Sequence, residues 1–166
     1  MSISISAIFV GLNGFIAFAL SFIVVMERTK TRVWHGGTEL DVGTQQDYLV
    51  APNQWAAFIE SCTQKLVTTK TADDGLLQRK VCAYGNFTEY VPLALLFILV
   101  LELMSSPPWF LWSMGSLLTI GRITHAWGLI KTYGPSPGRA IGFSLTWFVY
   151  ICGVVACLYN GVIRLL

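Results

Sequence analysis

The sequence predicts an all-α membrane protein, a bundle of four transmembrane helices in one domain over residues 1–166, and three observations carry that prediction. Apolar residues fill 54% of the 166 positions and charged residues only 12%, about half the charged share of a soluble globular chain. The apolar residues gather into blocks long enough to span a bilayer, and proline and glycine mark the breaks between the later blocks. Four spans of about 20 residues, with their connections, use nearly the whole length and leave no room for a second domain.

The first block, residues 3–26, carries no charge and stops at Glu27, Arg28, Lys30 and Arg32. A cleaved signal peptide would place positive charge before the apolar run, so this order predicts a retained helix with its N-terminus outside. The second block runs to residue 104. Its helix is expected to begin near 76–81, because Pro92 alone rarely ends a membrane helix. The third helix is expected over 109–133, after Ser105-Ser106-Pro107-Pro108, and the fourth over 139–163, after Gly134-Pro135-Ser136-Pro137-Gly138.

Lysine and arginine set the orientation. Arg28, Lys30, Arg32, Lys65, Lys70, Arg79 and Lys80 fall in or beside the first connection, and Lys131 and Arg139 flank the third, while the second has none. The first and third connections are therefore expected to face the cytoplasm. The first connection, about 31–75, is long for a small bundle. Within it Asn53 can cap a short helix in which Trp55, Phe58, Ile59, Cys62 and Leu66 form one apolar stripe, suited to the membrane surface or the bundle mouth. Cys62, Cys82, Cys152 and Cys157 have no metal or redox spacing and read as buried, reduced thiols. The formal net charge of +2 is too small to point to nucleic acid.

Ionisable side chains inside a span cost roughly 2.5 to 3.5 kcal/mol each on insertion scales. Four occur here, at Glu89, Glu102, Arg122 and His125. In the second helix Arg79, Cys82, Asn86, Glu89 and Tyr90 follow in steps that stack them on one face, and Arg122 and His125 do the same in the third. Glu89 is eight residues after Val81 and His125 eight before Tyr133, so both lie roughly 12 Å from the cytoplasmic ends at 1.5 Å per residue. A Glu89–Arg122 ion pair fixing helix register is one account. Asn86, Tyr90 and His125 add more hydrogen-bonding capacity than two helices need, which favours a polar ligand entering from the cytoplasm. Glu102, three residues before Ser105, is expected to reach the interface or cap a neighbouring helix.

Two segments, Gly85-Asn86-Phe87-Thr88-Glu89-Tyr90-Val91-Pro92-Leu93 and Gly121-Arg122-Ile123-Thr124-His125-Ala126-Trp127-Gly128, resemble the MAPEG family, the membrane-associated proteins of eicosanoid and glutathione metabolism, and its bacterial-type branch most. The resemblance covers the second to fourth helices. It implies a homotrimer that holds glutathione, as co-substrate, between adjacent subunits and open to the cytoplasm. It assigns glutathione binding to Asn86, Glu89, Tyr90, Arg122 and His125, and activation of the thiol to Arg139. Cys82 stands where many members have an arginine, with Arg79 and Lys80 as candidates for the missing carboxylate contact, and Leu129 stands where several synthases have a tyrosine. Ser136 and Tyr133 are weaker candidates for a hydrogen bond to the thiol. Glutathione has two carboxylates, an ammonium and a thiol, which suit arginines, a glutamate and neutral hydrogen-bonding groups. The resulting expectation is a glutathione-dependent transferase or peroxidase acting on lipophilic small molecules, with membrane lipid around it and no metal. The alternatives are a non-catalytic lipid- or glutathione-binding scaffold of the same family, or a small transporter.

Overall fold

A computed structural model describes residues 3–33, 54, 58, 61, 62, 75–132 and 136–165. Among the described residues the regular structure is four helices and no strand: α1 (Ser4–Thr31), α2 (Leu76–Leu103), α3 (Pro108–Lys131) and α4 (Pro137–Ile163). By length and composition α1, α2 and α4 can each cross a membrane. The 24-residue α3 is not among these, since Arg122, His125 and the serines, threonines and glycines around them lower its hydropathy. The helix expected after Asn53 lies outside the described residues, apart from the single helical positions Gln54, Phe58, Ser61 and Cys62.

The helix ends follow local chemistry. α1 continues past the apolar block to Thr31, because Glu27, Arg28 and Lys30 are good helix formers and basic side chains suit a helix C-terminus. α2 starts at Leu76 and runs unbroken through Pro92. It ends in a Schellman turn, with Ser106 N–H donating to the Leu101 carbonyl at 3.0 Å and Ser105 N–H to that of Glu102 at 2.9 Å. Ser105 takes the left-handed position of that turn, at φ 57°. Pro108 then opens α3 and Pro137 opens α4, where the missing proline N–H has no intrahelical partner to lose.

The chain forms two compact units, residues 1–22 with 78–166, and residues 23–77. In the second, the Arg32 guanidinium donates to the carbonyl of Thr29 in the last turn of α1. The first holds the core: Ala94, Ile98 and Leu101 of α2, Leu111, Met114 and Leu118 of α3, and Val149 of α4. Phe87, Val91, Ala94, Ile98 and Leu101 are buried, and their steps of three and four make one stripe along α2. Between membrane helices such stripes associate by dispersion and close packing, because lipid is as apolar as leucine.

α3 and α4 approach most closely, through glycines. A Cβ on Gly142 would overlap the Gly121 carbonyl and His125, and one on Gly128 would lie 2.7 Å from the Arg139 nitrogen. Polar side chains then tie the helix ends. The Glu102 carboxylate accepts the backbone N–H groups of Ile5 at 2.9 Å and Ser6 at 2.7 Å, so it caps α1. The Arg164 guanidinium donates to the Met104 carbonyl just past α2. Asn13, buried in α1, donates to the Thr119 hydroxyl at 3.0 Å.

The cysteines are free, as expected, but not uniformly buried: Cys62 and Cys82 are exposed, Cys152 and Cys157 half-buried. Cys82 lies on the exposed face of α2, two helical turns from Glu89, which is also exposed.

Candidate functional site

Arg122 is the centre of the polar cluster. It projects from α3 and is buried to 2% exposure, so its charge is removed from solvent without leaving the chain. One terminal nitrogen donates to the Asn86 carbonyl of α2 at 3.3 Å, and the other to the Gly142 carbonyl of α4 at 3.5 Å. Its Cζ lies 5.5 Å from the centre of the Tyr90 ring, within cation–π range. Its Nε is buried and has no acceptor. No carboxylate among the described residues pairs with it.

His125, one turn further along α3, is also buried. Arg122 and Arg139 both lie near enough to act on it electrostatically. Arg139 reaches this region because α4 starts against Gly128, with Ser136 as its N-cap. The Ser136 hydroxyl accepts from Arg139 N–H and donates to the Gly128 carbonyl, each at 3.4 Å. At that length the hydroxyl proton is held weakly by the Gly128 carbonyl. Tyr133 lies outside the described residues.

The polar stripe of α2 divides in two. Asn86 and Tyr90 are half-buried, with the Asn86 backbone carbonyl and the Tyr90 ring against Arg122 of α3, whereas Cys82 and Glu89 are exposed. Glu89 makes no ion pair with Arg122 and has no partner among the described residues, so the register-fixing pair is not formed. Asn86 and Glu89 lie three residues apart, about 60° from each other around the axis, so they share one broad face, with Glu89 at its exposed edge and Asn86 nearer the buried side. Arg79 is engaged elsewhere: its Nε donates to the Ile130 carbonyl at 3.2 Å, a cationic cap on the last turn of α3. Within one chain, then, Asn86, Tyr90, Arg122, His125 and Arg139 gather, while Glu89 and Arg79 stand apart.

Tyr150 of α4 belongs to this cluster and was not foreseen. Its hydroxyl donates to the Tyr90 carbonyl at 2.7 Å, and its ring meets that of Tyr90 edge-on at 5.9 Å. Depth alone could have found it. Tyr90 lies 14 residues from the start of α2 and Tyr150 lies 13 from the start of α4, about 21 and 20 Å along their helices.

Chemically, the cluster is a buried cation, a histidine, a second arginine and a phenol, and the buried Arg122 Nε has no hydrogen-bond partner among the described residues. Such a set suits an anion carrying several hydrogen-bonding groups. Among the described residues no group of His, Cys, Asp and Glu could hold a metal ion.

The MAPEG family model matches residues 6–159. The inner membrane protein YecN of Escherichia coli, in strain K12 and in strain O6:H1, is 30% identical over 83 residues. The match covers 50% of this chain and 62% of YecN, less than two thirds of that relative's length. No solved structure matches the chain. The match over residues 6–159, with spanning helices on either side of the Arg122 cluster, makes this chain an integral membrane protein of the MAPEG family.

Proposed function

We propose that the protein is a glutathione-dependent transferase or peroxidase that acts on lipophilic electrophiles from within the membrane, as a homotrimer with glutathione between subunits. The observation that carries this reading is Arg122, a buried guanidinium that meets two carbonyls and a ring face and pairs with no carboxylate among the described residues. A buried charge without a counter-charge is costly, and a glutathione carboxylate supplies the missing one. The Asn86 amide and Tyr90 hydroxyl add contacts at the same level.

Glu89 supports the assembly. A carboxylate on the outward face of a membrane helix faces lipid unless another surface covers it, at a cost of roughly 2.5 to 3.5 kcal/mol near a helix centre. A second copy, with the glutathione ammonium between subunits, covers it and pairs with it. α3 is the fourth span in this arrangement: its 24 residues reach about 36 Å, enough to cross a bilayer. The lysine and arginine distribution places the Arg139 end in the cytoplasm.

In the reaction, Arg139 stabilises the glutathione thiolate, whose sulfur lone pair forms the new bond to an electrophilic carbon or to a peroxide oxygen. With carbon, the bond to the leaving group breaks and that group departs with its electron pair; with a peroxide, the O–O bond breaks, the alkoxide takes a proton from water, and a second glutathione converts the resulting sulfenic acid to the disulfide and water. Leu129, apolar and buried, favours a second reading, in which the same site binds glutathione or lipid without turnover. Calorimetric titration with glutathione in detergent, followed by assay with a chromogenic electrophile, separates the two. Binding with turnover supports the enzyme, binding alone the scaffold, and no binding rejects both glutathione readings.

A further inference from the structure

Arg122 bridges a gap. It reaches from α3 to the Asn86 carbonyl on α2 and the Gly142 carbonyl on α4, but at 3.3 and 3.5 Å both contacts are longer than the usual 2.9 to 3.0 Å and hold the guanidinium weakly. The short bond in this layer is another one, from the Tyr150 hydroxyl of α4 to the Tyr90 carbonyl of α2 at 2.7 Å. It joins the same two helices whose carbonyls receive Arg122. Tyr150 is itself held, with its ring edge-on to Phe97 at 5.7 Å and to Tyr90 at 5.9 Å. The Tyr90 ring in turn lies 5.5 Å from the Arg122 Cζ.

We infer that Tyr150 is a positioning residue, which fixes the spacing of α2 and α4 and the Tyr90 ring so that Arg122 presents its free Nε–H in one orientation to the anionic ligand. The identity of that ligand as glutathione rests on the function proposed above. Tyr150 touches neither thiol nor electrophile in this scheme. It acts through Tyr90, by the hydroxyl and by the ring, and its phenol also lies near enough to Arg122 to act on the guanidinium directly.

The test uses full-length protein labelled with 15N-arginine in detergent micelles. The sequence has six arginines, and the Arg122 Nε–H resonance is the one lost in Arg122→Lys. Tyr150→Phe removes the hydroxyl and keeps the ring. It is expected to move the Arg122 resonance, leave the other five in place, and weaken glutathione binding by calorimetry roughly fivefold, the loss of about one hydrogen bond. Tyr150→Leu, which also removes the ring, is expected to move the resonance further. An unmoved Arg122 resonance in Tyr150→Phe overturns the inference, as does a moved resonance with unchanged affinity, or an equal disturbance of all six arginines. A wild-type protein that binds no glutathione, with an Arg122 resonance that still moves in Tyr150→Phe, upholds the role of Tyr150 and rejects the glutathione reading alone.

Discussion

A guanidinium keeps its proton at any accessible pH, so an arginine can stabilise a thiolate without competing with it for a proton. A thiol with a pKa near 8.5 is only a few per cent ionised at neutral pH, and lowering that value by about 2 units takes about 2.7 kcal/mol of preferential stabilisation. In the proposed function Arg139 has this task; it lies in the first turn of α4, near enough to His125 to act on it electrostatically. Arg139→Leu is therefore expected to leave glutathione affinity within about threefold while removing the thiolate absorbance and most turnover at neutral pH. Retention of both signals would reject the assignment. Glu89→Gln is expected to weaken binding about tenfold, equivalent to about 1.4 kcal/mol, through loss of the ammonium contact between subunits. Wild-type affinity in that variant would remove Glu89 from the site. Arg122 and His125 were legible in the sequence because charge stands out in an apolar block. Tyr150 was not, since a tyrosine in a membrane helix is ordinary and its meaning comes from a carbonyl on another helix. The division of Asn86 from Glu89 was equally hidden, because a three-residue step admits either a shared face or the two edges of one.

The break elements were the most legible, and for a steric reason. Proline and glycine restrict or release backbone angles locally, so Ser105–Pro108 announced its turn, and Pro137 the start of α4, without reference to the rest of the chain. The close α3–α4 approach was less visible, because a glycine in a membrane helix does not say which neighbour presses on it. Gly142→Val inserts side-chain atoms where even a Cβ overlaps the Gly121 carbonyl and His125. It is expected to lower stability by about 1 to 3 kcal/mol, the usual range for overpacking, read as an earlier thermal transition in detergent. Unchanged unfolding would mean that the two helices can part at that level without cost. Ser105→Gly should act in the opposite sense, since Ser105 holds φ 57°. It is expected to gain about 0.5 to 1 kcal/mol in the same measurement.

At the scale of the whole molecule, the exposed Glu89 on a membrane helix is the feature on which the proposed trimer rests. Native mass measurement across mild detergents is expected to give a trimer, and monomer or dimer throughout would reject the assembly. Composition alone sufficed for the membrane class, because a chain with so few charges cannot coat its own surface. Subunit number follows from surfaces, which a linear sequence does not display.

The Glu102 cap has a further consequence for how the protein is made. Its carboxylate lies 97 residues downstream of the Ile5 N–H that it receives. During synthesis α1 is complete long before that partner exists, and its first-turn amides begin with water or lipid headgroups as their only acceptors. When α2 inserts, it carries an acidic side chain across the bilayer and delivers it to the face where α1 began. α1 and α2 are thus coupled in biogenesis as a hairpin whose closing contact forms last, and α1 completes its hydrogen bonding only when α2 has fully crossed.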